Sequence, residues 1–215
     1  MEFKQQPRPK ISRPRFKLVY NRFVMTGLQT IAENLLRVRA QPMEVPGEPG
    51  VYAVIIVDPD RLPGIEVDMS GLLFIGMAKS NLRRQIRFMH RQSGFSTLRR
   101  SLGAILKDQL GLRAIPLESG ASDTYLNHYQ FADETPLDVW MRSHLAYGYN
   151  IITRHIRTID RSLIRYLRPP LNLAGWPNTQ AEKLKTLRDI CKNEAYKREI
   201  RSRQLDFSGC PRSKI

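Results

Sequence analysis

Apolar residues run together in three stretches of this chain in the manner of strands. Residues 50–57 read GVYAVIIV, a run whose only side-chain polar atom is the Tyr52 hydroxyl, as in a strand buried on both faces. LLFIG at 72–76 is the second, YNIITR at 149–154 the third, and TYLNHYQF at 124–131 a further candidate. Elsewhere the apolar positions recur at helical spacing. Leu28, Ile31, Leu35 and Leu36 predict a helix over 26–40, ended by the turn-rich MEVPGEPG. Residues 80–93 predict a second, and 97–110 a third, capped by Ser96 or Thr97, with Leu98, Leu102, Ile105 and Leu106 on one side. Thr135 and Pro136 open a fourth, with Leu137, Trp140 and Leu145 as its buried stripe. Thr158 caps a fifth, which must stop at Pro169 and Pro170, because proline lacks a donor and disfavours a helical residue before it. Leu184, Leu187 and Ile190 line a sixth, over 180–204.

This order predicts an α/β (α+β) domain with a small, mostly antiparallel central sheet flanked by helices. The first two strands follow one another with no helix between, as an antiparallel pair does and a doubly wound parallel sheet does not. The chain divides into a basic arm (1–25), a helix and linker (26–47), the central domain (48–176) and a basic helix and tail (177–215).

Charge narrows the class of partner. The chain has 35 Lys and Arg against 20 Asp and Glu, a formal +15 over 215 residues, which points to a polyanion. No apolar run approaches the roughly 20 residues of a membrane span, and the N-terminus has no hydrophobic signal region, so the expectation is a soluble cytoplasmic protein that does not engage membranes. Two cysteines, Cys191 and Cys210, build neither a disulfide framework nor a cysteine zinc site. His90, His128, His144 and His155 lack metal-ligand spacing.

The strongest chemical signal is a basic one. Between Lys79 and Arg100 lie Arg83, Arg84, Arg87, Arg91 and Arg99 without an acidic residue, so both helices there are expected to keep a basic face for phosphate contact. Lys79, Arg83, Arg91, Arg99 and Arg100, with Arg13 and Arg15 of the proline-broken arm, are the candidate nucleic-acid contacts.

Five landmarks follow in order: GVY at 50–52, FIG at 74–76, NLRRQIR at 81–87, TLRRSLG at 97–103 and DRSLIRYLRPPLNL at 160–173. Over about residues 48–175 the chain thereby resembles the GIY-YIG nucleases, in particular small stand-alone bacterial members. The resemblance implies a metal-assisted phosphodiesterase with Mg²⁺ or Mn²⁺ as cofactor and DNA, alternatively RNA, as partner. On that pattern Tyr52 is the first tyrosine, which helps activate a water, and Asn172 is the closing asparagine. Phe74 takes the place of the second tyrosine, without its hydroxyl. Asp160 stands where the family has a metal-binding Glu, one methylene shorter. The phosphate-steadying arginine has two registers: counting from Gly76 reaches Arg84, whereas aligning on Asn81-Leu82 reaches Gln85, in which case Arg87 or His90 has to reach in. Two functions are consistent with this pattern, a metal-dependent DNA endonuclease and a nucleic-acid-binding module that kept the fold without the chemistry. For Asp160 a helix-dipole role in the first turn competes with metal binding.

Overall fold

The computed structural model describes residues 27–89, 92–117 and 129–208. Arg13, Arg15, His90 and Arg91, and most of the 124–131 strand candidate, lie outside the described residues.

At the centre is β1 (Gly50–Ile56), every residue of which is buried, as its unbroken apolar sequence requires. It pairs antiparallel on one side with β2 (Leu72–Ala78) and on the other with β5 (Leu145–Ile151), giving the order β2–β1–β5. A two-stranded ribbon of β3 (Ala114–Pro116) and β4 (Tyr129–Phe131) stands apart from it. The architecture is thus the small antiparallel sheet flanked by helices that the sequence predicts.

Alternation along β1 divides the core in two. Val51, Ala53 and Ile55 face α1 (residues 27–37) and α5 (Ile156–Leu167), meeting Ala32, Leu35, Leu163 and Ile164. Tyr52, Val54 and Ile56 face the larger half, with Leu82 and Ile86, then Leu98 and Leu102 of α3 (Thr97–Ile105), then Leu137 and Trp140 of α4 (Thr135–His144). α1 reaches the sheet only because Gly148 of β5 is bare: a Cβ there would lie 1.8 Å from the Leu35 carbonyl oxygen.

Several boundaries depart from the sequence expectation. The arginine helix is a single turn, α2 (Leu82–Arg84), capped by Asn81 Oδ1 on the Arg84 N–H at 2.7 Å, and it widens directly into a π-helical turn, Gln85–Met89. α3 ends at Ile105, not 110. The third long strand begins at Leu145, four residues earlier than expected, because Leu145, Ala146 and Tyr147 find partners in Ile56, Ile55 and Val54 as soon as α4 ends. α5 starts at Ile156 and not at a Thr158 cap, since His155 turns the chain with a left-handed φ of 55°.

The last helix, α6 (Ala181–Ser208), packs against β3 and α3. Its buried stripe is Leu184, Cys191 and Ala195, whereas the expected Ile190 is 53% exposed. The helix is therefore built into the core. No helix of the described residues is long and apolar enough to cross a membrane.

Candidate active site

Tyr52 sits on the middle strand, 2% exposed, with its ring laid over Gly76 of β2; a Cβ on Gly76 would meet the Tyr52 hydroxyl at 2.5 Å. The glycine of FIG thus makes room for the tyrosine of GVY, since the two residues are cross-strand partners. Phe74 flanks Tyr52 on the same face, ring centroids 6.4 Å apart. Burial drives the Tyr52 pKa far above the ordinary phenol value, and the charges of Tyr147 and Asp160 push the same way. Tyr52 is accordingly a neutral phenol, suited to orient a water by hydrogen bonding and unsuited to serve as a resident phenolate.

Asp160 lies in the second turn of α5, and no acid occupies that helix's first turn. The dipole reading therefore loses its geometric basis, because the effect fades within the first turn. Three and four residues before Leu163 and Ile164, Asp160 instead interrupts the stripe that α5 packs on the sheet. Its Oδ1 is buried and has no hydrogen-bond partner among the described residues. Burial lifts the carboxyl to about 6, against the smaller opposing pull of Arg161. A partnerless buried carboxylate oxygen within electrostatic reach of Tyr52 has the donor chemistry for a hard divalent cation, and Mg²⁺ is commonly held by one or two carboxylates with water and substrate phosphate completing its shell. Among the described residues no group of three or more His, Cys, Asp and Glu forms an all-protein cage.

Asn172 is 8% exposed, and its amide is fully committed to backbone: Oδ1 accepts from Ile75 N–H at 2.8 Å, and Nδ2 donates to the Ile75 carbonyl at 2.9 Å. Leu171 N–H adds a bond to the Leu73 carbonyl at 2.9 Å. Behind Pro169-Pro170 the chain therefore closes the free edge of β2, and Asn172 fixes the strand that carries Phe74 and Gly76.

The basic residues divide by burial. Lys79, Arg83, Arg84 and Arg87 are exposed, Gln85 is half-buried, and Arg83 Nε donates to the Val45 carbonyl at 2.7 Å. Neither Arg84 nor Gln85 lines the cavity beside this segment; Arg87, on the π-helical turn, does. The basic face expected on the next helix is corrected. Arg99 is 1% exposed, with Nε on Glu134 and Nη1 on Asp138, both at 2.6 Å, and Nη2 on the Glu134 carbonyl at 3.0 Å. Arg100 is also buried and donates to the Gly94 carbonyl at 2.8 Å. No acid lies between residues 79 and 100, but α4 and the residue before it supply two, at i,i+4 spacing on one helix face. That spacing was the available signal, and nothing in it named Arg99 as the partner.

The cavity has a volume of about 530 Å³ and lies between the 41–43 segment, the π-helical turn, α3, α4 and the start of β5. Tyr147, which sequence reading passed over, is among its walls and stands opposite Val54, one step along β1 from Tyr52 on the same face. Burial pushes the Tyr147 phenol up to about 12, with the Arg99 charge pulling the other way. The structure thus sets Phe74 beside Tyr52 on one face of the sheet, Asp160 on α5, which packs on the other face, Asn172 at the edge of β2, and Arg87 at the neighbouring cavity.

Residues 50–193 match the family model described as the GIY-YIG catalytic domain. No curated protein and no solved structure matches the chain.

Proposed function

Since the chain belongs to the GIY-YIG catalytic-domain family, a family of nucleases, we propose that it is a divalent-metal-dependent endonuclease that hydrolyses phosphodiester bonds of DNA. The observation that carries this reading is the buried, partnerless Oδ1 of Asp160 in the apolar stripe of α5. A carboxylate there costs stability and is unexplained by capping or ion pairing; a bound Mg²⁺ or Mn²⁺ accounts for it.

When bound, the ion supplies Lewis acidity and neutralises charge on the phosphate. The chain's own residues do the rest. Tyr52, held un-ionised, orients the water that attacks phosphorus. The P–O bond to the leaving oxygen breaks as the new one forms; the water's proton passes to solvent, and the leaving oxygen takes up a proton from solvent. Arg87 offers a guanidinium to the charge that builds on the phosphoryl oxygens, the role for which positioned cations are worth on the order of 100- to 1,000-fold in rate. Asn172 keeps β2, and with it the floor under Tyr52, in register. The surplus of basic residues supports a polyanionic substrate.

A second reading, a nucleic-acid-binding module without hydrolysis, has one specific observation in its favour: Phe74 brings no hydroxyl to the face of β2 beside Tyr52. Cleavage of supercoiled plasmid with Mg²⁺ or Mn²⁺, beside EDTA, separates the two. Nicking that needs metal and falls at least 100-fold in both Asp160→Asn and Tyr52→Phe is the expected result. Tight binding of DNA that stays intact with either metal selects the binding module instead.

A further inference from the structure

The cavity beside the site has a composition that hydrolysis alone does not require. Its exposed rim carries Arg87 and Arg142, and Arg142 makes no ion pair among the described residues. Its apolar surface comes from buried Met141 and Tyr147 and from Met43, which is 60% exposed. One polar group is held ready between them: Asp138 Oδ1 accepts from Nη1 of the buried Arg99, while its Oδ2 has no partner among the described residues. Arg99 is itself locked by Glu134, so the carboxylate is fixed in place at no further entropic cost on binding. Cations at the mouth, thioether and phenol surfaces within and one oriented acceptor make up the chemistry of a site for a phosphate joined to a flat heterocycle. A volume of about 530 Å³ is ample for one such unit and small for a base pair.

We propose that this cavity receives a single nucleotide turned out of the bound nucleic-acid strand, its base between Met43, Met141 and Tyr147 and its phosphate held by Arg87 and Arg142. The inference rests on the nucleic-acid reading above and specifies what that site takes next to the bond it cuts. Unstacking one nucleotide opposes this arrangement, and a pocket of this kind offsets it by stacking and edge contacts. Exposed Met43 stands at the rim, where an apolar wedge fills the gap left in the stack. Specificity follows from Asp138. An ionised carboxylate only accepts, so it favours a base presenting an exocyclic amine, such as cytosine, and is repelled by the paired carbonyls of thymine.

The test reads binding, so it does not depend on turnover. The full chain is titrated in EDTA with dCMP, dTMP and 2-deoxyribose 5-phosphate, and with duplexes that carry or lack one unpaired cytosine. The expected result is dCMP binding about tenfold tighter than dTMP or the sugar phosphate, and the unpaired-cytosine duplex binding tighter than the matched one. Asp138→Asn, which keeps an acceptor for Arg99, erases the dCMP preference. Arg142→Ala, at an exposed position, weakens dCMP and sugar phosphate alike, and Met43→Ala reduces the advantage of dCMP over the sugar phosphate. Equal binding of the three small ligands reduces the cavity to a phosphate site and overturns the inference. So does an unchanged preference in Asp138→Asn. A protein that binds dCMP in the expected manner and cleaves nothing supports the inference while removing the hydrolytic reading; one that cuts DNA and binds none of the three removes the inference alone.

Discussion

Protonation of Asp160 and folding are coupled, because its carboxyl titrates near 6 in the fold and near 3.9 in an unfolded chain. The folded state binds the extra proton between those values, so this residue's contribution makes stability fall as pH rises from about 4 to about 6, and the penalty is constant above. Solvent at its open side limits the penalty to about 1 kcal/mol. Asp160→Asn is therefore expected to raise the melting temperature by about 2–4 °C at pH 7.5 and to leave it unchanged at pH 4. The same variant should lose the stabilisation that Mg²⁺ or Mn²⁺ gives the wild-type chain at pH 7.5, a gain that itself fades below pH 6 as the proton competes for the oxygen. Thermal unfolding across pH, with and without metal, checks both; identical curves for the two proteins would show Asp160 to be an ordinary solvated acid. The placing of Tyr52 beside Phe74 on paired strands was legible from the order of GVY and FIG. The local environment of Asp160 was not, because one shifted helix start decides whether an acid sits at a helix dipole or in an apolar stripe, and the left-handed φ of His155 that sets this start leaves no mark in composition. Tyr147 stayed hidden for a related reason. Gly148, which admits α1, reads in sequence as a strand breaker.

At the scale of elements, Arg99 shows how a basic helix in sequence becomes a joint in structure. It binds α3 to the start of α4 through Glu134 and Asp138, and Glu134 also takes the backbone N–H of Ser93 at 2.8 Å and its hydroxyl at 2.5 Å. Ser93 Oγ in turn accepts from Phe131 N–H at 3.0 Å, which ties in β4. Removing the guanidinium leaves Glu134 largely buried and uncompensated, a loss of roughly 3–5 kcal/mol. Arg99→Met is thus expected to lower the denaturant midpoint markedly, with an unchanged slope, in equilibrium unfolding. A change below about 1 kcal/mol would mean that the network is solvated. The partners are 35 and 39 residues from Arg99, so no local rule links them. Strands β1 and β2 were legible because both are apolar runs bounded by glycine or by a turn-forming loop. Only the second half of β5 was legible; its start was hidden, since α4 passes into it without a loop and the first strand residue, Leu145, is also the helix cap.

For the whole molecule, the distinction between buried and exposed arginine separates charge that holds the fold from charge that meets a polyanion. The net +15 counts both kinds. Only exposed cations exchange condensed counterions for phosphate, and each contact contributes about 0.9 to the slope of log K against log salt on duplex DNA. Arg83 and Arg84 are exposed on α2, next to the site, whereas Arg99 has neutralising partners within the core. If the face carrying α2 tracks the backbone, Arg83→Gln with Arg84→Gln lowers the slope by nearly 2 and weakens binding similarly on every sequence. Arg13→Gln with Arg15→Gln does the same if the basic arm follows the duplex. Arg99→Met, measured at a temperature where it stays folded, leaves the slope where it was, because its charge was already compensated. Fluorescence anisotropy across a salt series gives all three slopes from one duplex. A slope unchanged in the Arg83 and Arg84 double variant would move the contact surface away from α2, and with it the assignment of Arg87 to the scissile phosphate, since Arg87 lies on the π-helical turn that directly continues α2.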